Sequence, residues 1–300
     1  MKAIKKFFRF DNIGYIFVLP AFLYMMFFVG YPIFSNLMLS LRDVNMRNIK
    51  TGIQPFVGFE NYVVLFTRDS VLTDALINTL IFTVASIVFQ FIIGFGLALI
   101  LNKTFTLAKP IRGILMVPWM IPITVTALMF KFIFGTDVGI LNYILNALGL
   151  ISENIDWLTN PFTAKIALII TNIWIGIPFN MILIATGLTT IPKEMYESAA
   201  IDGANKLQTF KNITLPLLKP TIESVLILGF IYTFKVYDLV WVMTSGGPVN
   251  STHMLSTYSY KLSFEMFKYS EGASVANVLF VILLFVSLIY LKVVYKEERT

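Results

Sequence analysis

The chain has 300 residues, of which 57% are hydrophobic and 13% are charged, and its formal net charge is +6. Soluble domains carry about a quarter charged residues, so this composition excludes a soluble enzyme, a disordered chain and a nucleic-acid binder, and it leaves an integral membrane protein. There is no cysteine and only one histidine. A disulfide framework, a thiolate metal site and a cysteine nucleophile are therefore excluded.

Six stretches are long and apolar enough to cross a bilayer as helices, which takes about 20 mostly apolar residues. They are residues 13–34, 76–101, 111–135, 163–188, 221–243 and 273–294. The first is too long for a signal peptide and no small-residue cleavage site follows it, so we interpret it as a retained helix. The sequence predicts an all-α polytopic membrane protein with six transmembrane helices.

The basic residues predict the orientation of these helices. Segments 1–12, 102–112, 189–220 and 292–300 carry 14 of the 23 Lys and Arg residues, whereas the three connections on the opposite side carry six. Positively charged loops are retained in the cytoplasm. Both termini are therefore predicted to be cytoplasmic.

The outer connections 35–75 and 136–162 mix aromatic, apolar and polar residues, as in Phe56–Tyr62. This mixture predicts short helices rather than unstructured linkers. Such helices could lie at the membrane surface or pack on the outer ends of the bundle, and the sequence does not choose between the two. His253, in the last outer connection, is expected to be solvated.

The cytoplasmic segment 189–220 is longer and more regular than a linker between two membrane helices needs to be. Pro192 fits the first turn of a helix, and Glu194 and Glu197 favour its positive end. Gly203 then has the backbone freedom to end the helix and turn the chain.

A second short helix is expected from about Lys206, and Pro216 and Pro220 are expected to mark the return into the membrane. The physical pattern alone leaves two interpretations open. The segment is either an amphipathic hairpin on the lipid headgroups or a rigid docking element.

The residues of this segment resemble a specific family signature. Glu197-x-Ala199-x-x-x-Gly203, nine residues, then Ile213-x-Leu215-Pro216 resembles the EAA loop of the membrane subunits of binding-protein-dependent ABC importers. Ser198 stands where the signature has alanine, and serine is also small. Further segments resemble the carbohydrate-type branch of the family: Tyr196–Ala204, Gly58–Tyr62, Trp157-Leu158 and Ser245–Pro248.

The resemblance implies a type I ABC importer fold and a division of the chain into three parts. Residues 1–75 would form a cytoplasmic tail, the first transmembrane helix and an outer loop. Residues 76–294 would form a permease core of five helices that includes the coupling loop 189–220, and residues 295–300 would form a cytoplasmic tail. The protein would be a multi-pass component of the bacterial cytoplasmic (inner) membrane.

The resemblance also implies that the cytoplasmic loop is seated on a separate ATPase. The residues that would make this coupling contact are Glu197, Ser198, Ala199, Asp202, Gly203, Ile213, Leu215 and Pro216. Glu197 would pair with a basic residue of the ATPase, Ser198 and Ala199 would permit close approach, and the aliphatic pair would fill an apolar notch. No G-x-x-x-x-G-K-[ST] phosphate loop occurs in the sequence, so ATP and Mg would be bound by the partner, with no cofactor, metal or catalytic residue in this chain.

The implied partners are a second, homologous permease, two ATP-binding cassette subunits, an extracytoplasmic solute-binding protein and the lipid bilayer. The implied cargo is a sugar or an oligosaccharide. Nucleic acid is not an expected partner.

Polar faces of the predicted spans are candidates for the cargo path, because lipid penalises polar groups. Amide and carboxylate groups bind sugar hydroxyls, and aromatic faces pack against sugar rings. Tyr232, Lys235, Asp238 and Trp241 follow one another at steps of three, which predicts one stripe on the fifth helix. The complete set of path candidates is Gln90, Asn172, Trp174, Asn180, Tyr232, Lys235, Asp238 and Trp241.

Structural alternatives remain open for these residues. Gln90 could be interhelical hydrogen-bond glue, worth about 0.6–2 kcal/mol, and Lys235 and Asp238 could merely neutralise one another. A proton-coupled secondary sugar transporter is the main rival, although Asp238 is the one acid well inside a predicted span. An ABC importer of another solute would carry the same loop. A membrane-embedded enzyme lacks a clustered acid, base or metal site.

Overall fold

A computed structural model of the protein describes residues 10–102 and 106–297. The regular secondary structure in these ranges is helical. The N-terminal tail 1–9, residues 103–105 and the last three residues lie outside the described part. The predicted tails and their positive charges fall largely on those residues.

Sixteen α-helices follow one another in the described chain. They are α1 (Phe10–Met25), α2 (Tyr31–Ser40), α3 (Met46–Thr51), α4 (Glu60–Arg68), α5 (Ser70–Leu101), α6 (Ala108–Leu115), α7 (Val117–Met120), α8 (Ile123–Ile133), α9 (Ile140–Ala147), α10 (Pro161–Thr189), α11 (Lys193–Ile201), α12 (Lys206–Thr209), α13 (Leu215–Phe234), α14 (Asp238–Thr244), α15 (Leu255–Tyr260) and α16 (Tyr269–Glu297).

Five helical stretches are long and apolar enough to cross a membrane. They are Phe17–Ser40, Ser70–Leu101, Pro161–Thr189, Lys206–Phe234 and Tyr269–Lys292. A bent pair, Ala108–Met120 with Ile123–Ile133, makes a sixth when it is counted as one span. The hydropathy of the sequence therefore predicts the number and order of the spans correctly.

The third span, predicted over 111–135, consists of two helical parts and not of one helix. Its two parts meet at an angle of 94°. Ile121 is extended, with ψ 132°, and Pro122 caps the next helix. Proline has no N–H to donate and disfavours helical geometry in the residue before it, which explains why the break lies here.

The prediction that the fifth span is one helix over 221–243 is wrong. Helix α13 ends at Phe234, and a short non-helical connection precedes α14. The hydroxyl of Ser256 donates to the Val236 carbonyl in this connection, which satisfies a backbone group that the broken helix leaves exposed. The expected stripe from Tyr232 to Trp241 is therefore split between two helices.

Two prolines that could have broken a helix are instead preceded by π turns. The turn Met26–Gly30 comes before Tyr31-Pro32, and the turn Phe210–Thr214 comes before Leu215-Pro216. A proline ring clashes with the carbonyl four residues earlier, and in both cases that residue lies in the widened turn. The chain therefore runs helically from Lys206 to Phe234, where a short helix and a separate re-entry were expected.

The described chain separates into two compact units. The first comprises the residues up to Arg68 together with Ser259–Asn277, and the second comprises Asp69–Tyr258 together with the residues from Val278 onward. In the second unit α10 packs along α5. A Cβ on Gly94 would lie 2.6 Å from Cβ of Asn180, so the helices cross here at a distance that glycine permits. Elsewhere in this unit buried apolar side chains form a core cluster, among them Phe82, Phe134, Leu168, Leu239 and Met243.

Hydrogen bonds fasten the elements of the first unit. The Asn36 side chain donates to the Asn277 side chain over 2.7 Å, and Asn277 donates to the Tyr62 hydroxyl over 3.1 Å. The Tyr62 hydroxyl also lies 2.9 Å from the Ser40 hydroxyl. Short helices α3 and α4 occupy the first outer connection and α9 the second, which confirms the expectation of helices in both.

The expectation that His253 is solvated is wrong, because its side chain is fully buried in the second unit. Its Nδ1 lies 3.2 Å from the Thr257 hydroxyl. The Asn78 side chain donates to the backbone carbonyls of Ser251 and His253 over 2.8 and 3.2 Å, so α5 holds the segment that carries the histidine.

Candidate functional site

A cavity of about 410 Å³ lies in the second unit, where α5, α10 and α13 meet the breaks of the third and fifth spans. Five of the predicted path residues line it: Gln90, Asn172, Tyr232, Lys235 and Asp238. The other lining residues are Trp119, Ile123, Ile175, Gly176, Phe179, Gly229, Thr233, Val236, Tyr237 and Leu239. Both helix breaks therefore border one space.

Asn172 lines this cavity, and its side chain carries a buried, unpaired donor. The residue is only 9% exposed, and its side-chain Nδ2 has no hydrogen-bond partner among the described residues. Its backbone carbonyl accepts a 2.8 Å hydrogen bond from the Gln90 side chain. Leaving a buried donor unsatisfied costs about 1–3 kcal/mol, so an acceptor oxygen that reaches this atom would be stabilised.

The two charged residues of the cavity do not neutralise one another. The ion pairs found in the described ranges are Lys219–Glu223 and Lys268–Glu271. The Lys235 ammonium instead lies 5.2 Å from the centre of the Tyr232 ring, which is a cation–π distance. Lys235 and Asp238 are both exposed. The alternative in which the pair merely neutralises itself therefore finds no ion pair to support it among the described residues.

Three predicted path residues do not line the cavity. The Trp174 ring packs against Phe130 at 5.3 Å, within the apolar core. Asn180 is buried and donates to the Gly176 carbonyl over 2.9 Å, which is local to its own helix. The Trp241 ring stacks on the Tyr237 ring with their centres 5.7 Å apart, and of the two only Tyr237 lines the cavity.

The sequence interpretation found Tyr232 but missed two other residues of the aromatic wall of the cavity. Trp119 and Phe179 are stacked at 6.4 Å, and Phe179 meets Tyr232 edge-on at 6.0 Å. Trp119 lies at the break of the third span, beside Pro118 and close to Pro122. Prolines within an apolar run could have drawn attention to this tryptophan. No sequence signal distinguishes Phe179 from lipid-facing aromatics.

Together these residues offer hydrogen-bond donors and acceptors, two uncompensated charges and several aromatic faces. Amide groups satisfy hydroxyls, and aromatic rings pack against the apolar faces of a ring-shaped solute. The cavity is therefore suited to a polar solute with ring-like apolar faces.

The cytoplasmic loop forms a second structural centre, built around the end of α11. Gly203 has φ +77°, and its N–H bonds to the Ala200 carbonyl over 3.2 Å while Ala204 N–H bonds to the Ala199 carbonyl over 2.9 Å. These two bonds define a Schellman ending, which requires the left-handed conformation that glycine adopts easily. The predicted helix end at Gly203 is confirmed.

The next helix begins with a second fixed element. The Asn205 side chain accepts from the Leu207 and Gln208 N–H groups, and the Gln208 side chain accepts from the Asn205 N–H, so the two residues form a capping box. The Tyr196 hydroxyl lies 3.2 Å from the Thr214 hydroxyl and ties α11 to the following π turn. These contacts define a rigid loop, with the turn set at both ends.

The predicted coupling residues divide between the loop surface and its interior. Glu197, Ser198, Asp202, Gly203, Leu215 and Pro216 are exposed, and Ile213 is half-buried. Ala199 is only 8% exposed within this chain, so it packs inside the loop and is not open to a neighbour as was expected. Among the large apolar side chains of the loop, the two most exposed were not singled out by the sequence: Ile201 is 86% exposed and Leu207 is 61% exposed.

The comparison with known families decides the identity of the chain. Residues 90–296 match the family described as "Binding-protein-dependent transport system inner membrane component". The chain belongs to this family. The match includes α10, the cytoplasmic loop, both parts of the fifth span and all cavity residues.

Relatives match the permease along nearly its whole length. It is 33% identical over 287 residues to the trehalose/maltose transport system permease protein MalF of Thermococcus litoralis, which covers 95% of each chain. It is 33% identical over 280 residues to the sulfoquinovosyl glycerol transport system permease protein SmoG of Agrobacterium fabrum, covering 93% of this chain and 89% of that protein.

Solved structures agree with the sequence relatives. A chain of a bacterial ABC transporter involved in the import of the acidic polysaccharide alginate superposes with a TM-score of 0.79 at 26% identity, covering 96% of this chain and 98% of that one. A chain of a bacterial alginate ABC transporter in complex with an alginate pentasaccharide-bound periplasmic protein matches with the same TM-score.

These findings confirm the predicted fold class and the resemblance. The protein is a membrane-embedded permease subunit of an ABC importer with the type I importer fold, and its family is a component of the inner membrane. The family is a transport component and not the ATPase of the system.

Proposed function

We propose that this permease carries a sugar or an oligosaccharide into the cytoplasm through the cavity bounded by α5, α10 and α13. Support comes from the cargo named for its relatives, which include a trehalose/maltose system, a sulfoquinovosyl glycerol system and an alginate importer. The observation that carries the proposal is the buried, unpaired amide of Asn172 in a cavity with aromatic walls. A saccharide supplies the acceptor oxygens for the amide and apolar ring faces for the aromatics.

The cavity is one half of the path, and a second, homologous permease completes it. Tyr232 lies near the end of the candidate span Lys206–Phe234, Lys235 and Asp238 follow at the break of the fifth span, and all three are exposed in this chain. Charged groups facing hydrocarbon are strongly penalised, so a protein surface covers them in the assembled transporter. A pair of different permeases is the arrangement that the resemblance implies.

Energy comes from two ATP-binding cassette subunits that bind ATP and Mg, and cargo is delivered by an extracytoplasmic solute-binding protein. In this arrangement both termini of the permease are cytoplasmic. The alginate importer, which has been solved with a saccharide-bound periplasmic protein, supports such a delivery step.

The cytoplasmic loop couples the ATPase to the cavity because one helical path joins them. The helical run Lys206–Phe234 has 29 residues, which corresponds to about 44 Å at 1.5 Å per residue. Its first turn carries the exposed Leu207, and its last turns carry Gly229, Tyr232 and Thr233 of the cavity wall. A displacement of the loop therefore reaches the cavity without crossing a flexible joint.

Uptake measurements in cells test the proposal. Cells that express the whole transporter, and cells that lack only this chain, are given labelled maltose, trehalose or diacetylchitobiose, with phosphate and a dipeptide as non-saccharide probes. We expect uptake of a saccharide to depend on the chain, to survive an uncoupler while ATP is maintained, and to stop when ATP is depleted.

Three results would overturn the proposal. Loss of phosphate or dipeptide uptake in cells that lack the chain would assign another cargo. Collapse of uptake under an uncoupler at constant ATP would indicate a proton-coupled carrier. An absence of chain-dependent uptake for every saccharide of the panel would remove the carbohydrate assignment.

A further inference from the structure

The side chain of Gln90 connects two helices at the level of the cavity. Gln90 lies on α5 and is 4% exposed. Its amide donates over 2.8 Å to the backbone carbonyl of Asn172 on α10. In an α-helix this carbonyl is the acceptor for the N–H of Gly176, so the glutamine contacts the backbone of α10 one turn before that glycine.

Gly176 makes room for this contact. A Cβ on Gly176 would overlap the terminal amide of Gln90, namely its Cδ, Oε1 and Nε2 atoms. Any larger residue at this position would displace the glutamine side chain. The lack of a side chain at Gly176 therefore leaves the space that the Gln90 amide occupies.

Gln90, Asn172 and Gly176 all line the cavity. We infer that Gln90 is a positioning residue, which fixes the backbone of α10 so that the unpaired amide of Asn172 faces the cargo. This role rests on the proposed function of the cavity. It gives Gln90 a task beyond general helix association, because its bond ends on the backbone of the residue that carries the free donor.

Cysteine accessibility tests the inference without knowledge of the cargo. The chain has no cysteine, so Asn172→Cys or Tyr232→Cys gives a single thiol on one wall of the cavity. Each is combined with Gln90→Leu, which preserves bulk and removes the hydrogen bond. The rate of methanethiosulfonate modification is measured on this chain in membranes that contain the whole transporter.

We expect Gln90→Leu to change the modification rate at position 172 by about three- to fivefold, the factor that one hydrogen bond is worth. The rate at position 232, on α13, should stay within twofold. Equal changes at both positions would indicate general loosening and would overturn the inference, and so would an unchanged rate at position 172.

A second test enlarges Gly176 and shortens Gln90 in the same chain. This test can be carried out even if the Gln90→Leu variant assembles poorly. Gly176→Ala should lower the yield of assembled transporter at least about fivefold, the factor for about 1 kcal/mol of overpacking. Adding Gln90→Ala should restore the yield to that of Gln90→Ala alone. Gly94→Ala is the matched control, since the atoms nearest to a Cβ there belong to Asn180 and to the backbone of α10.

Failure of Gln90→Ala to restore Gly176→Ala, or equal restoration of Gly94→Ala, would overturn the inference. Neither test uses a saccharide. A failure of the carbohydrate assignment in the uptake experiment is therefore distinguishable from a failure of the role given to Gln90.

Discussion

Replacement of Gly203 isolates the contribution of the loop geometry to transport. The residue has φ +77°, and a Cβ on it would meet nothing within 4 Å. The cost of Gly203→Ala is therefore the backbone cost of a left-handed non-glycine residue, about 1–2 kcal/mol. This corresponds to about a 5- to 30-fold decrease in the population of the native loop geometry relative to alternatives. Gly203→Asn should cost less, because asparagine tolerates this conformation.

Gly203→Pro should be the most damaging substitution, because proline fixes φ near −65° and removes the N–H that bonds to Ala200. The assay compares cargo uptake with ATP hydrolysis in proteoliposomes that contain the whole transporter, per folded complex. We expect uptake to be highest with the native Gly203 and to decrease in the order Gly203→Asn, Gly203→Ala, Gly203→Pro. ATP hydrolysis by the ATPase should fall less than uptake in each variant.

Gly149 offers a matched control for the same backbone cost. It has φ +68°, and a Cβ on it would also meet nothing within 4 Å, but it lies after α9 and outside the cytoplasmic loop. Gly149→Ala should lower thermal stability similarly and leave uptake per folded complex unchanged. Equal losses of uptake in the two alanine variants, or normal uptake with Gly203→Pro, would refute the assignment of coupling to this loop.

Three further predictions concern the cavity and the helix crossing behind it. Asn172→Leu should lower cargo uptake at least tenfold by removing the donor. Asn180→Leu, the same change on the same helix, should lower uptake only in proportion to the amount of folded protein. Similar uptake per folded complex in the two variants would contradict this prediction. Lys235→Met and Asp238→Asn should have additive effects on uptake, with a coupling energy below about 0.5 kcal/mol, because the two charges are not paired; a double variant that recovers uptake would contradict it. Gly94→Ala should lower the melting temperature of the purified protein, since overpacking costs about 1–3 kcal/mol, and an unchanged melting temperature would argue against the close crossing.

The sequence predicts the spans well because lipid leaves the backbone few choices. A stretch that crosses hydrocarbon must satisfy its own hydrogen bonds, so a long apolar run predicts a helix. Hydropathy does not indicate where a helix bends within an apolar run. Ile121-Pro122 and the connection after Phe234 break helices whose side chains on both sides remain apolar. Both breaks border the cavity, so the site depends on the least predictable part of the fold.

Residue type identifies polar candidates but not their surroundings. Asn172 and Asn180 lie on the same side of α10 and are equally plausible from the sequence. Only packing shows that one amide is used within its own helix while the other remains unpaired at the cavity. His253 illustrates the opposite error, since a polar residue in a loop was expected in solvent and is buried.

The first helix of the cytoplasmic loop was predictable because its signals are local. A proline at the start of α11 and a glycine in the left-handed conformation at its end each act over a few residues. The exposure of Ile201 and Leu207 depends on how the helices fold back on one another, and the sequence alone did not reveal it.

Cross-linking from Ile201 tests the central claim most directly, because this side chain is 86% exposed at the end of α11. A single cysteine introduced by Ile201→Cys carries a short thiol-to-amine cross-linker in the intact transporter, and Val249→Cys, at a side chain 91% exposed on the predicted outer face, serves as the control. We predict that the cysteine at position 201 joins this chain to the ATPase subunit, that the yield changes when nucleotide is added, and that the control never reaches the ATPase. A loop cysteine that forms no product with the ATPase, in a complex that still transports its cargo, would contradict the account.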